Sequence, residues 1–313
     1  MSIEKQLRYG VRGLMLDIDV KKCSSLEIML SSCNCEGICL CHGECSLNSG
    51  NSFKDGFSIK NLDYALKKIV NFLRKNKNEI ITLFLEDYLH KTKQLQDVFD
   101  KVKGFNSLVF NPYDPTWNVT HKGWPKIADM IKANKRILIV DDEQRGAHAT
   151  KRPGIIRSRD FLIQNHFEWK KSVYHWDVSA FMGNNTLKIN ELLLNGTILE
   201  LDMAECFSWH QFKGKPIWNS TNPLVLNYKE HSEQLINSDK LFLFNHFYGV
   251  AALAGFVDPA TVKLMNTREF VLKRILEKCD PGTNRKKPNY IALDFIDEST
   301  YKNLIEPLNM QIV

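Results

Sequence analysis

Acidic residues that end two strand-like runs are the first candidates for chemistry. Residues 10–17 read Gly-Val-Arg-Gly-Leu-Met-Leu-Asp, and residues 79–88 read Glu-Ile-Ile-Thr-Leu-Phe-Leu-Glu-Asp-Tyr. Because side chains alternate between the two faces of a strand, Asp17 and Asp19 share one face. Leu14, Leu16 and Ile18 share the other face. An acid inside a buried strand is costly unless it is paired, hydrogen-bonded or bound to a metal. We therefore expect Asp17 to have a partner of one of these kinds.

A histidine and two further acids stand in comparable places. His42 lies in Cys-His-Gly-Glu-Cys, Glu86 comes near the end of the second run, and Asp294 lies near the end of the apolar run at 289–296. In (β/α) barrels the loops that follow the strands form the mouth of the active site, so polar residues collect there. A histidine and carboxylates at such a mouth suit a phosphodiester site, because imidazole can transfer protons during the reaction.

These residues must be positioned by alternating strands and helices. Apolar residues recur at helical spacing in some segments and form continuous β-rich runs in others. The helices are predicted at 61–75, 93–102, 124–133, 157–169 and 267–278, and the strands at 79–86, 107–110, 136–140 and 241–247. The alternation predicts an α/β fold with a parallel sheet wrapped by helices. No repeat, low-complexity tract or linker marks a second domain, so we expect one domain over residues 1–313.

Composition and charge narrow the class of partner. The net charge of +6 is small, and no Lys/Arg block is interleaved with aromatic residues, which argues against a dedicated nucleic-acid binder. A mild preference for anionic lipid surfaces fits this charge. The longest apolar stretch, residues 241–257, is too short and interrupted for a membrane span, which needs about 20 apolar residues. Its second part, 248–257, is either a loop after a buried strand or an apolar lip where a lipid enters.

Cysteines cluster in the first 45 residues, which contain six of the eight. The Cys-x-Cys pairs at 33/35 and 39/41 have zinc-binding chemistry, but not the usual spacing of zinc knuckles. An even total favours disulfides in an oxidising compartment, and so do the glycosylation-type triplets. These triplets begin at Asn118, Asn184, Asn195 and Asn219. We expect a secreted protein, with the cytoplasm as the alternative because the first residues lack the apolar core of a signal peptide.

The order and spacing of seven short segments carry a resemblance to a known family. They are Gln6-Leu7, residues 10–17, Leu40-Cys-His-Gly43, and residues 82–87, 135–139, 244–247 and 287–295. From about residue 4 to 296 the chain resembles the X-domain family of phosphatidylinositol-specific phospholipase C-like phosphodiesterases, and the small stand-alone members most closely. The resemblance implies a distorted TIM barrel. It also implies cleavage of a lipid phosphodiester, with phosphatidylinositol or a related glycophospholipid as substrate at a membrane surface.

The resemblance assigns roles to individual residues. In the phosphatidylinositol-cleaving members the inositol 2-hydroxyl attacks phosphorus, diacylglycerol leaves, and a cyclic inositol phosphate forms. His42 matches the second of two family histidines, and Asp17 and Glu86 match acidic positions of the calcium-dependent members. Met15 stands where those members carry a further acid, for which Asp19 is the substitute on the same strand face. Ca²⁺ takes about six to eight oxygen ligands, so two side-chain carboxylates make an incomplete ligand set. The alternative for Asp17 and Glu86 is pairing with Arg or Lys in the barrel.

Two late residues and the chain start complete these expectations. Asp294 is expected at the rim of the site as a catalytic residue, whereas His246 is expected in the core. The first family histidine belongs on a strand about one βα unit before Gly10, and the sequence begins too late to contain it. We therefore expect a barrel that is incomplete at its N-terminus. The interpretations are an N-terminally incomplete enzyme, which we favour, and an inactive member that binds lipid or inositol-phosphate head groups.

Overall fold

The chain divides into two compact units in the computed structural model, and each is described by itself. The units comprise Met1–Ser158 and Arg159–Val313. The expectation of a single domain over residues 1–313 stays a prediction. The structure describes residues 1–25, 35–41, 60–89, 92–143, 154–164, 239–246, 266–268, 271 and 288–306.

A six-stranded sheet organises the first unit. Its strands are β1 (Gly13–Lys21), β2 (Gly37–Leu40), β3 (Lys60–Asn61), β4 (Ile81–Asp87), β5 (Ile137–Glu143) and β6 (Ile155–Arg157). The order across the sheet is β3-β2-β1-β4-β5-β6. Strands β1, β4, β5 and β6 run parallel, and β2 and β3 extend the sheet with antiparallel pairs. The parallel part brings the carboxyl ends of successive strands to one edge.

The described residues of the first unit form six helices, and the first four contribute side chains to the core on one face of this sheet. They are α1 (Ile3–Arg8), α2 (Leu62–Lys75), α3 (Thr92–Lys101), α4 (Phe105–Leu108), α5 (Val119–Lys122) and α6 (Ile127–Lys132). Helix α2 buries one stripe, which includes Leu66, Ile69 and Leu73, and its last turn carries basic residues that suit a helix C-terminus. This stripe belongs to the same apolar core as Leu14 and Leu16 of β1. The helix therefore fixes which face of β1 points into the core.

The two faces of β1 differ as the period-two pattern predicts. Leu14, Leu16 and Ile18 are buried in the core, whereas Met15 on the opposite face is 51% exposed. Burial of a leucine or isoleucine side chain stabilises a fold by about 1.5–3 kcal/mol, so this orientation is strongly specified. Asp17 is half-buried on the same face as Met15. The register of β1 thus keeps the Asp17 carboxylate out of the helix-covered core.

Two arginines at the amino ends of the strands join the sheet to its helices. Arg12 pairs with Glu79 at 2.7 Å, donates to the Leu7 carbonyl at 2.9 Å, and lies 4.9 Å from the centre of the Phe72 ring. Arg136, which is 5% exposed, directly precedes β5. Through these contacts Arg12 anchors α1 and α2 at the amino end of β1.

Arg136 closes the C-terminus of α2. Its Nη1 donates to the carbonyls of Leu73 at 2.8 Å and Asn76 at 3.0 Å, and its Nε donates to Asn134 Oδ1 at 2.9 Å. The last carbonyls of a helix have no partner within the helix and carry partial negative charge. The buried guanidinium of Arg136 donates hydrogen bonds to these carbonyls and places a positive charge beside them.

A three-stranded parallel sheet organises the second unit. It consists of β7 (Leu162–Gln164), β8 (Leu241–His246) and β9 (Tyr290–Leu293), in that order. After β9 come a short helix, α8 (Glu298–Thr300), and a π-helical turn at Tyr301–Ile305. Neither sheet closes on itself within the residues that the structure describes. The prediction of an α/β fold with mainly parallel strands is confirmed.

Two element predictions were wrong. Residues 107–110 do not form a strand, because the chain turns at Gly104 into α4 and only Val109 bridges to Ile137. The helix predicted at 157–169 is one turn, α7 (Ser158–Phe161), followed by β7. Pairing of Leu162 with Leu241 overrides the local helical spacing. Most of the predicted helix 267–278, and the whole segment 248–257, lie outside the described residues.

Disulfides account for the cysteines that the structure describes. Cys35 and Cys39 are bonded to each other, and Cys23 and Cys41 are disulfide-bonded as well. The disulfide interpretation is confirmed for these four residues, which removes them as zinc ligands. No helix among the described residues is long and apolar enough to cross a membrane.

Candidate active site

Asp17 and Glu86 come together at the carboxyl ends of β1 and β4. Their Cα atoms are register partners across this parallel pair. Adjacent strands lie about 4.8 Å apart, and register partners direct their side chains to the same face. The face is the one that carries exposed Met15, opposite the helix-covered core. The structure therefore sets two neighbouring, half-buried carboxylates on one side of the sheet.

A tyrosine that sequence reasoning missed holds Glu86. The Tyr88 hydroxyl donates a hydrogen bond to Glu86 Oε1. The Tyr88 backbone N–H donates to the Ile18 carbonyl at 3.0 Å, so the end of β4 is tied to β1. The signal for Tyr88 was its position two residues after Glu86, because that spacing returns a side chain to the same strand face.

A third acidic position continues the row. Asp142 of β5 is the register partner of Glu86, so positions 17, 86 and 142 lie side by side on three parallel strands. The repeated pattern of an apolar run that ends in acids, here at 136–142, was the signal for it. Among the described residues, no group of three or more His, Cys, Asp or Glu is arranged to hold a metal ion.

Asp19 occupies a different position from Asp17. It is 7% exposed, its carboxylate accepts from the backbone N–H of Val20 at 2.7 Å, and it faces Cys39 across the antiparallel pair. Two residues along a strand correspond to about 6.6 Å. Asp19 shares the face of Asp17 but is displaced from the register row that contains Glu86.

His42 lies outside the described residues. The last described residue before it is Cys41, whose backbone N–H donates to the carbonyl of Asp17 at 3.0 Å. Strand β2, which precedes this point, pairs Leu40 with Ile18. The chain is thus hydrogen-bonded to the strand of Asp17 up to the position before His42.

Asp294 belongs to the second unit and directly follows β9. Its carbonyl accepts from Asn266 Nδ2 at 2.7 Å, and burial raises the pKa of its carboxyl above the ordinary value. The next residue, Phe295, has a positive φ of 50° and is 46% exposed. Positive φ in a residue other than glycine is uncommon and is found at turns and functional sites. The chain therefore adopts an uncommon backbone conformation directly after Asp294, at the end of β9.

His246 is a core residue, as expected from the sequence. It is 3% exposed at the end of β8, and its ring stacks on Phe244 with the centroids 6.0 Å apart. Trp124 likewise packs on an aromatic ring, that of Phe110, at 6.3 Å.

The row at positions 17 and 86 offers oxygen ligands to a cation. Hard cations such as Ca²⁺ take carboxylate, carbonyl and water oxygens, about six to eight in all. Asp17 and Glu86 would supply two of these ligand groups. The same two groups leave coordination positions for phosphate and water oxygens. Two side-chain carboxylates are therefore only part of the ligand set that such a cation needs.

Three comparisons with known proteins bear on this site. The model of the PI-PLC X-domain family matches residues 1–185. A PI-PLC X domain-containing protein of Arabidopsis thaliana is 31% identical over 145 residues, which is 44% of this chain and 28% of that protein. The match thus spans less than a third of the relative's length. The solved phosphatidylinositol-specific phospholipase C of Listeria monocytogenes aligns with a TM-score of 0.44 at 17% identity, over 98% of this chain and 81% of that one.

Proposed function

Because the chain belongs to the PI-PLC X-domain family, we propose that it is a phosphoric diester hydrolase or lyase that cleaves phosphatidylinositol or a related glycophospholipid. One observation carries the proposal. Asp17 and Glu86 are register partners at the carboxyl ends of two parallel strands, and the chain that leads to His42 is hydrogen-bonded to Asp17. In α/β barrels this end of the strands is where chemistry takes place.

His42 is the proposed proton-transfer residue. As a cationic imidazole it donates a proton to the oxygen of the leaving group while the phosphorus–oxygen bond breaks. A histidine suits this work near neutral pH because its ordinary pKa is about 6.5. The inositol 2-hydroxyl is the attacking group in the lyase form of the reaction, and the product is a cyclic phosphate.

Asp17 and Glu86 are the proposed ligands of a Ca²⁺ ion, with Asp19 as a further candidate. Their carboxylates fit a hard cation, and the hydroxyl of Tyr88 fixes the orientation of Glu86. When bound, the ion would neutralise negative charge on the phosphate. The protein's own part is to hold the two carboxylates on one sheet face, where the register of β1 and β4 prevents them from turning into the core.

Asp294 is kept as a proposed catalytic residue on its local environment and on the family resemblance. Burial raises the pKa of its carboxyl, and this brings proton exchange closer to the working pH. The substrate is a lipid, so the proposed partner is a membrane surface that the protein contacts peripherally. The Cys35–Cys39 disulfide and the disulfide-bonded state of Cys23 and Cys41 support a secreted location.

A second candidate function is binding of lipid or inositol-phosphate head groups without turnover. Met15 favours it, because this exposed thioether stands on the face of Asp17 where the resemblance expects a further acid. Loss of one ligand weakens a cation site. A binding protein tolerates this better than an enzyme does, because turnover requires the cation to stabilise charge in the transition state.

Product analysis tests the proposal. The full chain is incubated with phosphatidylinositol vesicles, with Ca²⁺ and with a chelator, and phosphorus NMR follows the water-soluble products. We expect a cyclic inositol phosphate, and a 10²- to 10⁴-fold lower rate for His42→Ala, the range for loss of a general acid or base. The matched control is His121→Ala, which removes an exposed histidine.

The two candidates give opposite results in this experiment. Saturable binding of inositol phosphate without product, unchanged in His42→Ala, supports the binding protein and overturns the enzyme. Turnover that is equal in the wild type and in His42→Ala removes His42 from the mechanism.

A further inference from the structure

A surface turn presents the triplet Asn118-Val119-Thr120, which the proposed reaction does not use. Asn118 directly precedes α5 and has a left-handed backbone with φ of 39° and ψ of 58°. Asparagine is one of the few residues other than glycine that adopts this conformation readily. Thr120 is exposed, and Val119 between them is buried. The turn therefore directs its two polar side chains away from the core.

The asparagine and threonine side chains are in contact. Thr120 Oγ1 donates a hydrogen bond to Asn118 Oδ1 at 3.2 Å. Among the hydrogen bonds of the described residues, the Asn118 side chain takes part through Oδ1 alone, and its Nδ2 donates to no protein group. Asn-x-Ser/Thr, with any residue but proline in the middle, is the acceptor triplet for N-linked glycans. Its two recognised groups are presented here on the same side of one turn.

The base of the turn is anchored, so a substituent on Asn118 does not disturb the core. The Trp117 ring packs on Phe110 at 5.3 Å, and the Asn118 backbone N–H donates to the Asp114 carbonyl at 2.7 Å. Lys122 Nζ donates to the Pro115 carbonyl at 3.1 Å. These contacts use the backbone and the neighbouring side chains, and they leave the amide of Asn118 available.

The disulfides give an independent indication of compartment. Cys35 and Cys39 are bonded to each other, and Cys23 and Cys41 are disulfide-bonded too. Such bonds persist in oxidising compartments such as the lumen of the endoplasmic reticulum and the cell exterior. N-linked glycans are attached in the same lumen, so the two features require the same route through the cell.

We infer that Asn118 is a site of N-linked glycosylation. The co-reactant is an oligosaccharide carried on a lipid diphosphate, and the cell's oligosaccharyltransferase supplies the catalyst. Asn118 Nδ2 forms a bond to the anomeric carbon and gives up one proton, the bond from that carbon to the diphosphate oxygen breaks, and the lipid diphosphate leaves. No oxidation or reduction takes place.

Site-resolved mass spectrometry tests the inference. The full chain is produced in eukaryotic cells behind a cleavable secretory leader, and the peptide that contains Asn118 is analysed before and after peptide-N-glycosidase digestion. We expect a glycan that the enzyme removes with conversion of Asn118 to Asp. Separate peptides report the triplets at Asn184, Asn195 and Asn219, which lie outside the described residues, so they do not confuse the readout.

Conservative changes at Thr120 give the matched pair. Thr120→Ser keeps the hydroxyl and should keep most of the glycan, whereas Thr120→Val keeps the shape, removes the hydroxyl and should abolish modification. Translation in the presence of microsomes gives the same readout for any variant that fails to be secreted, because attachment takes place before export. An unmodified Asn118 in wild-type chain that has formed the Cys35–Cys39 disulfide overturns the inference. The result does not depend on whether the protein cleaves a phosphodiester.

Discussion

The two ends of the β1, β4 and β5 sheet have opposite chemistry. At the amino ends Arg12, Glu79 and Arg136 are held by an ion pair or by helix carbonyls, so each charge has a defined partner. At the carboxyl ends the acids at positions 17 and 86 are placed side by side. Opposite charges in contact and capped helix carbonyls lower the free energy of the fold.

This contrast separates stability from function along the same strands. In parallel α/β sheets the carboxyl ends of the strands carry chemistry and the amino ends carry stability. The amino end here follows that division, because its polar groups join the sheet to α1 and α2. The row of acids at the other end is where we propose that a cation binds. Substitutions at the carboxyl ends should therefore lower turnover, whereas substitutions at the amino ends should lower the free energy of unfolding.

The largest expected effect is at the carboxyl end, with Asp17→Asn. This change removes one charge from the row without changing its shape, so the phosphodiesterase rate should fall about 10²- to 10³-fold, the range for loss of one electrostatic stabiliser. Thermal stability should change less than turnover, because Asn keeps the size of the side chain and position 17 is half-buried on the face away from the helix-covered core. Turnover and melting temperature are measured on the same preparation.

The control for Asp17→Asn is Asp63→Asn. Asp63 pairs with Lys67 on the surface of α2, and its loss should change neither quantity by much. A large loss of stability in Asp17→Asn with unchanged turnover would assign Asp17 to the fold instead of the chemistry.

The second effect is at the amino end, with Arg136→Met. This variant keeps most of the side-chain volume but leaves the carbonyls of Leu73 and Asn76 without the donor they have now. Loss of a charged partner from buried polar groups costs about 3 kcal/mol. Urea unfolding should show this decrease, with the turnover per folded molecule unchanged. Arg74→Met is the control, because exposed Arg74 makes one hydrogen bond, to the Lys103 carbonyl, and should cost under about 1 kcal/mol.

The acids at the strand ends could be predicted from the sequence, because the pattern that indicates them lies within one short segment. An apolar run with period-two polarity fixes the face of Asp17 and the end of β4 near Glu86, and the structure agrees with both. The pairing of position 17 with position 86 was an expectation from the resemblance, since register depends on contacts about 70 residues apart that no single segment encodes. The strand β7 was missed for the same reason, because it forms only through pairing with β8.

Side chains that support a site were harder to predict than the residues in its row. The role of Tyr88 cannot be assigned from the sequence until the direction of the Glu86 side chain is known. The same holds at the amino end, where Arg136 contacts the end of a helix some 60 residues earlier in the chain. Sequence patterns identify acids and their faces, whereas long-range alignment assigns their partners.

Tyr88→Phe tests whether the carboxyl end is preorganised. The variant removes only the hydroxyl that donates to Glu86 Oε1. Groups that orient a metal ligand usually contribute about 10- to 100-fold to affinity, so the Ca²⁺ concentration for half-maximal turnover should rise about 10-fold. Turnover at saturating Ca²⁺ should change less.

Tyr113→Phe is the matched control for that experiment, because Tyr113 lies in the loop before α5 and is remote in sequence from the row of acids. Equal Ca²⁺ dependence in Tyr88→Phe and the wild type would mean that the hydroxyl does not orient Glu86 for a cation. A melting temperature that falls in Tyr88→Phe with the Ca²⁺ dependence unchanged would leave Tyr88 a structural role only.

The smallest effect is a pH dependence at the amino end. The hydrogen bond from Arg12 holds the pKa of Glu79 below its ordinary value of 4.5. A carboxyl with a lowered folded pKa stabilises the fold above its unfolded pKa, and this contribution is lost as the pH falls through the folded pKa. Because both side chains are about a third exposed, the pair should contribute only about 0.2–1 kcal/mol.

Glu79→Gln isolates this contribution. The free energy of unfolding of the wild type should exceed that of the variant at pH 7, and the two should converge as the pH falls through the lowered folded-state pKa of Glu79. The difference at pH 7 should also shrink in about 1 M salt, since the screening length there is about 3 Å. Parallel pH profiles for the two proteins would show that the Arg12–Glu79 contact joins the sheet to its helices by packing, without a net electrostatic contribution.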